Sequence, residues 1–202
     1  MAGPEGIPAG HEVTISYGSQ WPNEAFLLLF GFAPDGNPAD GVILFPSFSD
    51  LVEAWQRHQQ VLSCPEGQGG EDARTLEERV ARSNVSVEEV LLHPELAEVT
   101  ESGKYDRLIV TQQGIDPRMG DAIALVAAVK EEARFGEGRA EDMGWRMSAA
   151  EQRTFLLAAC RAYEGRLERV ASLIGTTITP PAALQYRNQK LRIIKQVIES
   201  LI

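Results

Sequence analysis

The sequence predicts a mainly α-helical protein in which a short β-containing segment precedes a helical domain. Short extended patterns lie before Pro46, helical spacing dominates after it, and two long amphipathic patterns close the chain. The 202 residues are enough for one sizeable core or two small ones. Hydrophobic residues at 44% and charged residues at 24% are ordinary for a globular protein.

The residues before the first loop contain a predicted strand and a predicted helix. Apolar and polar residues alternate over 13–17, as they do in a half-buried strand. Pro22 suits the first turn of a helix over 23–30, which is rich in phenylalanine and leucine, and Gly31 is a typical helix stop. The segment before Pro46 contains only short elements and cannot bury a core of its own, so we expect it to need a sheet that this chain does not supply.

The middle of the chain changes from extended to helical patterns. Two prolines and a glycine predict a loop over 33–40, and the apolar residues 42–45 predict a short buried strand or extended segment. A helix is predicted from Ser49, a strand over 105–111 and a further helix over 117–130. The apolar face of the first of these helices consists of Leu51, Trp55, His58 and Leu62. Further loops are predicted over 63–72 and 135–144, and short helices over 75–82 and from Ser86.

Two long helices are predicted at the end of the chain. Ser148 and Glu151 have the spacing of a capping box, and Gly175 ends the helix that they begin. The apolar stripe of that helix is Phe155, Ala159, Tyr163, Leu167 and Val170. Thr179 and the two prolines after it begin the last helix. Its predicted buried face is Leu184, Leu191, Ile194, Ile198 and Leu201.

The net charge argues against nucleic acid as a partner. A formal charge of -10 and a pI near 4.8 repel phosphate backbones. The same charge would attract basic protein segments, although its simplest role is to maintain solubility. No apolar run is long enough to span a bilayer, so no membrane partner is expected.

The cysteines and histidines predict neither a disulfide framework nor a metal site. Cys64 and Cys160 are far apart, and Cys160 lies in a helical pattern where a buried apolar role is expected. The histidines, at positions 11, 58 and 93, have no cysteine or acidic cluster at zinc-like spacing.

Several short motifs follow one another in a specific order between residues 10 and 40. They are Gly10 to Gly18 (GHEVTISYG), Asn23-Glu24, Leu27-Leu28-Leu29, Phe30-Gly31-Phe32 and Asn37-Pro38-Ala39-Asp40. In this order they resemble the C-terminal end of the SET domain, in the branch of the Rubisco large-subunit lysine methyltransferases. Thr176-Thr177 and residues 183–190 (ALQYRNQK) are similar to the helical substrate-binding domain of that branch.

The resemblance implies a role for three aromatic residues in methyl transfer from S-adenosylmethionine to a protein lysine. Tyr17 corresponds to the catalytic tyrosine whose hydroxyl orients the amine and the methyl group. Phe30 corresponds to a residue of the substrate-lysine channel and replaces the more usual tyrosine, and Phe32 corresponds to a residue of the cofactor pocket. The alternative is structural: Tyr17 as an inward strand residue, and both phenylalanines as core packing.

The resemblance also implies which parts of the family's site have no counterpart here. In the family a Gly-x-Gly cofactor loop and an Asn-His pair precede this strand, and residues 1–12 contain neither. We therefore expect residues 1–45 to be the remnant of a SET domain and 46–202 to be a helical domain that binds a protein substrate. On this reading the chain is a C-terminal fragment that neither binds S-adenosylmethionine usefully nor methylates protein by itself. The alternative is a non-catalytic helical protein-interaction module with a vestigial SET strand.

Three further expectations follow from this division of the chain. Residues from 48 onward should fold alone as a helical bundle. The predicted strand over 13–17 should keep an unpaired edge in the isolated chain. By family resemblance the compartment is the chloroplast, or the cytoplasm and nucleus.

Overall fold

A computed structural model describes residues 6, 8, 10–12, 15–63, 94–135, 147–174 and 181–202. The protein is mainly helical with a small antiparallel sheet, which confirms the predicted fold class. In chain order the elements are α1 (Asn23–Phe30), β1 (Gly41–Phe45), α2 (Phe48–Ser63), α3 (Pro94–Ser102), β2 (Leu108–Thr111), β3 (Gly114–Ile115), α4 (Arg118–Phe135), α5 (Ala149–Ile174) and α6 (Pro181–Leu201).

The first helix begins and ends where the sequence predicts. Pro22 is its N-cap and has the extended backbone that is usual there, and its carbonyl accepts from the Phe26 N–H at 3.4 Å. Gly31 ends it in the left-handed region at φ 76°, and its N–H donates to the carbonyl of Leu27 at 3.1 Å. The glycine turns the chain sharply, so that the residues after it run back alongside the helix.

A three-stranded antiparallel sheet has the order β1-β2-β3. Val42 lies opposite Val110, and Gly41 lies opposite Thr111. A Cβ at Gly41 would meet the carbonyl oxygen of Val110 at 3.0 Å, so this close approach of the two strands favours glycine. The sequence predicted β1 and β2, although β2 begins at Leu108 and not at Tyr105. The expectation that the first segment finds no sheet within this chain is wrong for β1, because β2 pairs with it.

The strand predicted over 13–17 is not present at the positions that the structure describes. Ile15, Ser16 and Tyr17 form no strand, and Ile15 is exposed. Val13 and Thr14 lie outside the described residues. At the described positions no neighbouring strand pairs with this segment, and alternating apolar residues do not form a strand without one.

The main core lies between the sheet and the helices α2, α4, α5 and α6. Phe155 of α5 stacks on Phe45 of β1 with ring centroids 5.9 Å apart, and Trp55 of α2 meets Phe155 edge-on at 5.0 Å. Cys160 is fully buried in this core, and burial raises the pKa of its thiol to about 11. The predicted boundary after residue 45 falls inside the core, because β1 contributes to it.

The helical faces agree with the sequence in part. On α2, Leu51 and Trp55 are buried as predicted, but Leu62 is 61% exposed because the end of α2 extends past the core. On α5 the apolar stripe begins buried at Phe155, and its last residue, Val170, is exposed to solvent. On α6 the predicted Leu184 is exposed, and the buried face is Gln189, Lys190, Ile193, Ile194, Val197 and Ile198.

Several sequence predictions lie outside the described residues. They are the loops over 63–72 and 135–144 except for their first residues, which end α2 and α4, the helices over 75–82 and from Ser86, the helix end at Gly175, Thr179, and the environments of Cys64 and His93. Among the helices that the structure does describe, none has the length and apolarity needed to cross a membrane.

Candidate functional site

The three aromatic residues that the resemblance singles out lie together in the structure. The Tyr17 ring is 4.4 Å from the Phe30 ring and 6.0 Å from the Phe32 ring, measured between centroids. Phe26 lies 5.9 Å from Tyr17 and 5.6 Å from Phe32, and Trp21 lies 6.2 Å from Phe30. These five residues, Tyr17, Trp21, Phe26, Phe30 and Phe32, are called the aromatic cluster below.

Local structure explains why the cluster forms. Phe26 and Phe30 are four residues apart on α1, so their side chains share one face. Gly31 then reverses the chain and returns Phe32 to that face, 6.3 Å from Phe30. Tyr17 closes the cluster from the segment before the helix. Tilted and edge-on ring pairs at these distances are the favoured aromatic geometries.

The aromatic cluster is open to solvent. Phe26 is its buried centre at 6% exposure, whereas Tyr17, Phe30 and Phe32 are 39%, 42% and 39% exposed. The residues of the main core are a separate set that contains none of the five. Neither structural alternative from the sequence therefore holds in full: Tyr17 is not in a strand, and the phenylalanines pack on one another outside the main core.

A second group of residues, which the sequence did not predict to meet, joins α1 to the last helix. Asn23 and Asp40 are buried, although polar, and so are Gln189 and Lys190 of α6. The Asn23 side-chain amide donates to Gln189 Oε1 at 2.6 Å, and the Asn23 backbone N–H donates to Asp40 Oδ1 at 3.1 Å. Together with Glu24 and Tyr186, these residues are called the polar junction.

Lys190 is the centre of the polar junction. Its side chain is 1% exposed, and its ammonium donates to Asp40 Oδ1 at 2.6 Å, to Glu24 Oε1 at 2.8 Å and to the carbonyl oxygen of Gly41. The Tyr186 ring lies under the same ammonium at 4.9 Å, and its hydroxyl donates to Glu24 Oε1 at 3.0 Å. The second carboxylate oxygen of Asp40, Oδ2, is buried and has no hydrogen-bond partner among the described residues.

The charges in the polar junction influence one another. Burial alone would raise the pKa of Glu24, but the hydrogen bond and positive charge of Lys190, aided by Tyr186, lower the pKa overall. Burial and the neighbouring Glu24 carboxylate raise the pKa of the Tyr186 hydroxyl, which therefore stays protonated and donates. The junction is thus a cation held between two carboxylates, with a phenol completing the set.

Sequence reasoning missed the polar junction, although a signal was present. Asn23-Glu24, the stretch ending at Asp40, and residues 183–190 are three of the motifs that carry the family resemblance. Each contributes to the junction, across separations as large as 166 residues. A motif shows that certain residues recur together, but it does not show which of them meet.

The aromatic cluster has a simple chemical character. It supplies apolar ring faces, which attract cations, and the single hydroxyl of Tyr17. Its five members include no charged side chain that could hold the amino-acid part of S-adenosylmethionine. Among the described residues, no group of three or more histidine, cysteine or acidic side chains could hold a metal ion. A separate shallow cavity of ≈ 540 Å³ lies between the start of α5 and the end of α6 and includes none of the site residues.

Comparisons with known protein families, curated proteins and solved structures gave no match to this chain.

Proposed function

We propose that this chain is the C-terminal part of a SET-type protein-lysine methyltransferase of the Rubisco large-subunit branch. In this proposal the aromatic cluster forms one wall of the methyl-transfer site, and the helical body binds the protein substrate. The observation that carries the proposal is the convergence of Tyr17, Phe30 and Phe32, because the resemblance assigns these three residues, and no others, to one site.

The residue types suit this chemistry. A lysine amine has an ordinary pKa of about 10.4 and must be neutral before it attacks. When bound, S-adenosylmethionine supplies an electrophilic methyl group. The Tyr17 hydroxyl can accept a hydrogen bond from the amine and orient it, and the rings of Phe30 and Phe32 exclude water from the reacting atoms. Phe30 has no hydroxyl with which to hold the amine or a water, so Tyr17 is the only hydroxyl of the cluster.

The surface around the cluster suits a protein partner. Leu28 is 84% exposed, and Leu29 is also exposed on the same short helix. Exposed apolar residues beside an aromatic cluster are typical of surfaces that contact another polypeptide. The net charge of -10 favours a basic segment, such as one that carries a target lysine.

The decisive test is the substitution Tyr17→Phe in a longer protein that joins this chain to the upstream half of a SET domain. Removal of one oxygen changes almost no volume, so the fold should be kept. We expect turnover in a methylation assay to fall by about a hundredfold or more, because the amine loses the group that orients it.

The matched control is Tyr105→Phe, the same substitution at a main-core position whose ring lies 5.7 Å from that of Phe48. We expect the control to retain turnover, and melting curves for all three proteins should agree. Equal turnover of the Tyr17→Phe and unsubstituted proteins would contradict the catalytic role. A longer protein with no methylation activity at all would favour the non-catalytic interaction module.

A further inference from the structure

The aromatic cluster and the main core are two separate apolar bodies. The main core contains β1, β2 and the inner faces of four helices, whereas Phe26 is the buried centre of the aromatic cluster. Between them lies the polar junction, and α1 meets the helical body at α6. The attachment of the cluster to the body therefore depends on polar contacts to a large extent.

The contacts from α6 are specific for the position of α1. Gln189 holds two groups of the first segment at once: its carbonyl accepts from the Asn23 side chain at 2.6 Å, and its amide donates to the Pro34 carbonyl at 2.8 Å. Lys190 holds Glu24 on α1 and Asp40 in the loop before β1. The two neighbouring residues therefore bind both the start of α1 and the loop that follows it.

Buried polar contacts constrain position more strictly than apolar packing does. A buried ammonium needs its carboxylate and carbonyl partners within hydrogen-bond distance, since it has lost its water. Apolar surfaces tolerate small shifts, but a shift of α1 by one position would remove the Glu24 and Asn23 contacts together. The junction thus specifies one place for α1 and, through α1, one place for the aromatic rings.

We propose that Lys190 and Gln189 are positioning residues that fix the aromatic cluster on the helical body. The role of the cluster in methyl transfer rests on the proposed function, whereas the positioning of the cluster by Lys190 and Gln189 does not. Loss of the Lys190 ammonium should release α1 and its aromatic rings while the β1–β2 pairing and the main core stay in place.

The test is residue-level hydrogen exchange on the full chain carrying Lys190→Met, which removes the ammonium and keeps the length of the side chain. We expect the amides of 27–31 to exchange at least about tenfold faster, since removal of one partner of a buried ion pair leaves the others unpaired. The amides of β2 should change by less than about threefold. The matched control is Lys195→Met, the same substitution at an exposed position of α6 whose ammonium lies 3.7 Å from Glu164.

Two results would overturn the proposal. One is unchanged exchange of α1 in Lys190→Met, and the other is an equal acceleration of α1 and β2, which would make Lys190 a support of the whole fold. If Lys190→Met does not fold, Glu24→Gln decides, because it weakens only the α1 side of the junction. Faster exchange confined to 27–31 in Glu24→Gln supports the proposal, and its absence contradicts it. Exchange reports the position of α1 whether or not Tyr17→Phe changes turnover, so the two proposals can fail separately.

Discussion

At the scale of single residues, Glu24 connects the polar junction to pH. Its folded-state pKa lies below the ordinary value of 4.5 despite burial, because Lys190 and Tyr186 favour the carboxylate. A lowered pKa means that the carboxylate stabilises the fold at pH values above 4.5 and that this contribution is lost as the pH falls through the lowered value. At neutral pH the Glu24 carboxylate therefore makes its full contribution to the free energy of unfolding.

We expect Glu24→Gln to reduce the pH dependence of stability on the acid side. The unsubstituted chain should lose free energy of unfolding between neutral pH and pH values below 4.5, and the variant should lose less over the same range. Urea unfolding at a series of pH values measures both slopes. Glu199→Gln, an exposed position at the end of α6, is the control. Parallel curves for Glu24→Gln and the unsubstituted chain would show that Glu24 is not coupled to folding.

The sequence could predict only those residues of the candidate site that match a family motif. Tyr17, Phe30 and Phe32 were identified because they match positions of a family pattern, and α1 with Gly31 then brings two of them together. Lys190 could not be placed in the same way, since a lysine in a helical pattern is normally assigned to solvent. Its partner Asp40 is 150 residues away, and no local periodicity relates the two positions.

At the scale of elements, the start of α5 shows a local rule that works well. The Ser148 hydroxyl accepts from the Glu151 N–H at 3.2 Å, while the Glu151 carboxylate accepts from the Ser148 N–H at 2.8 Å. This capping box was predicted from spacing alone, because all of its bonds lie within four residues. It satisfies two backbone donors at the start of the long helix that contributes Phe155 to the core.

We expect Ser148→Ala to destabilise the chain by about 1 kcal/mol, since it removes the capping oxygen and leaves an N–H of the first turn without its partner. Thermal or urea unfolding measures the loss. Ser200→Ala is the control: the same substitution near the end of α6, with an expected effect within about 0.5 kcal/mol. Equal losses in the two variants would show that the reciprocal bonds at Ser148 contribute nothing specific.

The last helix shows where a rule based on apolar spacing fails. The pattern assigned Leu184 to the buried face, but the first turns of α6 lie beside the polar junction and the residue is exposed. The prediction that Ile194 and Ile198 are buried is confirmed, because the main core packs against that half of the helix. A single helix thus contacts two different environments, a polar one at 186–190 and an apolar one from 193 onward, and one period cannot describe both.

At the scale of the whole molecule, the sequence and the structure differ on where one folding unit ends. The change from extended to helical pattern near Pro46 suggested a boundary there. The sheet crosses that boundary, because β1, which lies before it, pairs with β2, which lies well after it. Composition along the chain reports local preference, whereas a core is defined by which distant segments pack together.

The structure predicts that residues 48–202 do not fold alone, contrary to the expectation from the sequence. Removal of β1 takes Val42, Leu44 and Phe45 out of the core, and burial of each such side chain is worth about 1.5–3 kcal/mol. The sum is about 5–9 kcal/mol, which is comparable with the whole stability of a typical domain, about 5–15 kcal/mol. The same truncation removes Glu24 and Asp40, so Lys190 would be left without its carboxylates.

The measurement compares two truncated chains, one beginning at Phe48 and one beginning at Trp21. The chain from Trp21 keeps α1, the polar junction and β1, and it should melt cooperatively with the helical content of the full chain. The chain from Phe48 should show no cooperative transition, because Val110 and Phe155 lose the strand that covers them. A cooperative melt of 48–202 close to that of 21–202 would contradict this account, and it would restore a boundary after residue 45.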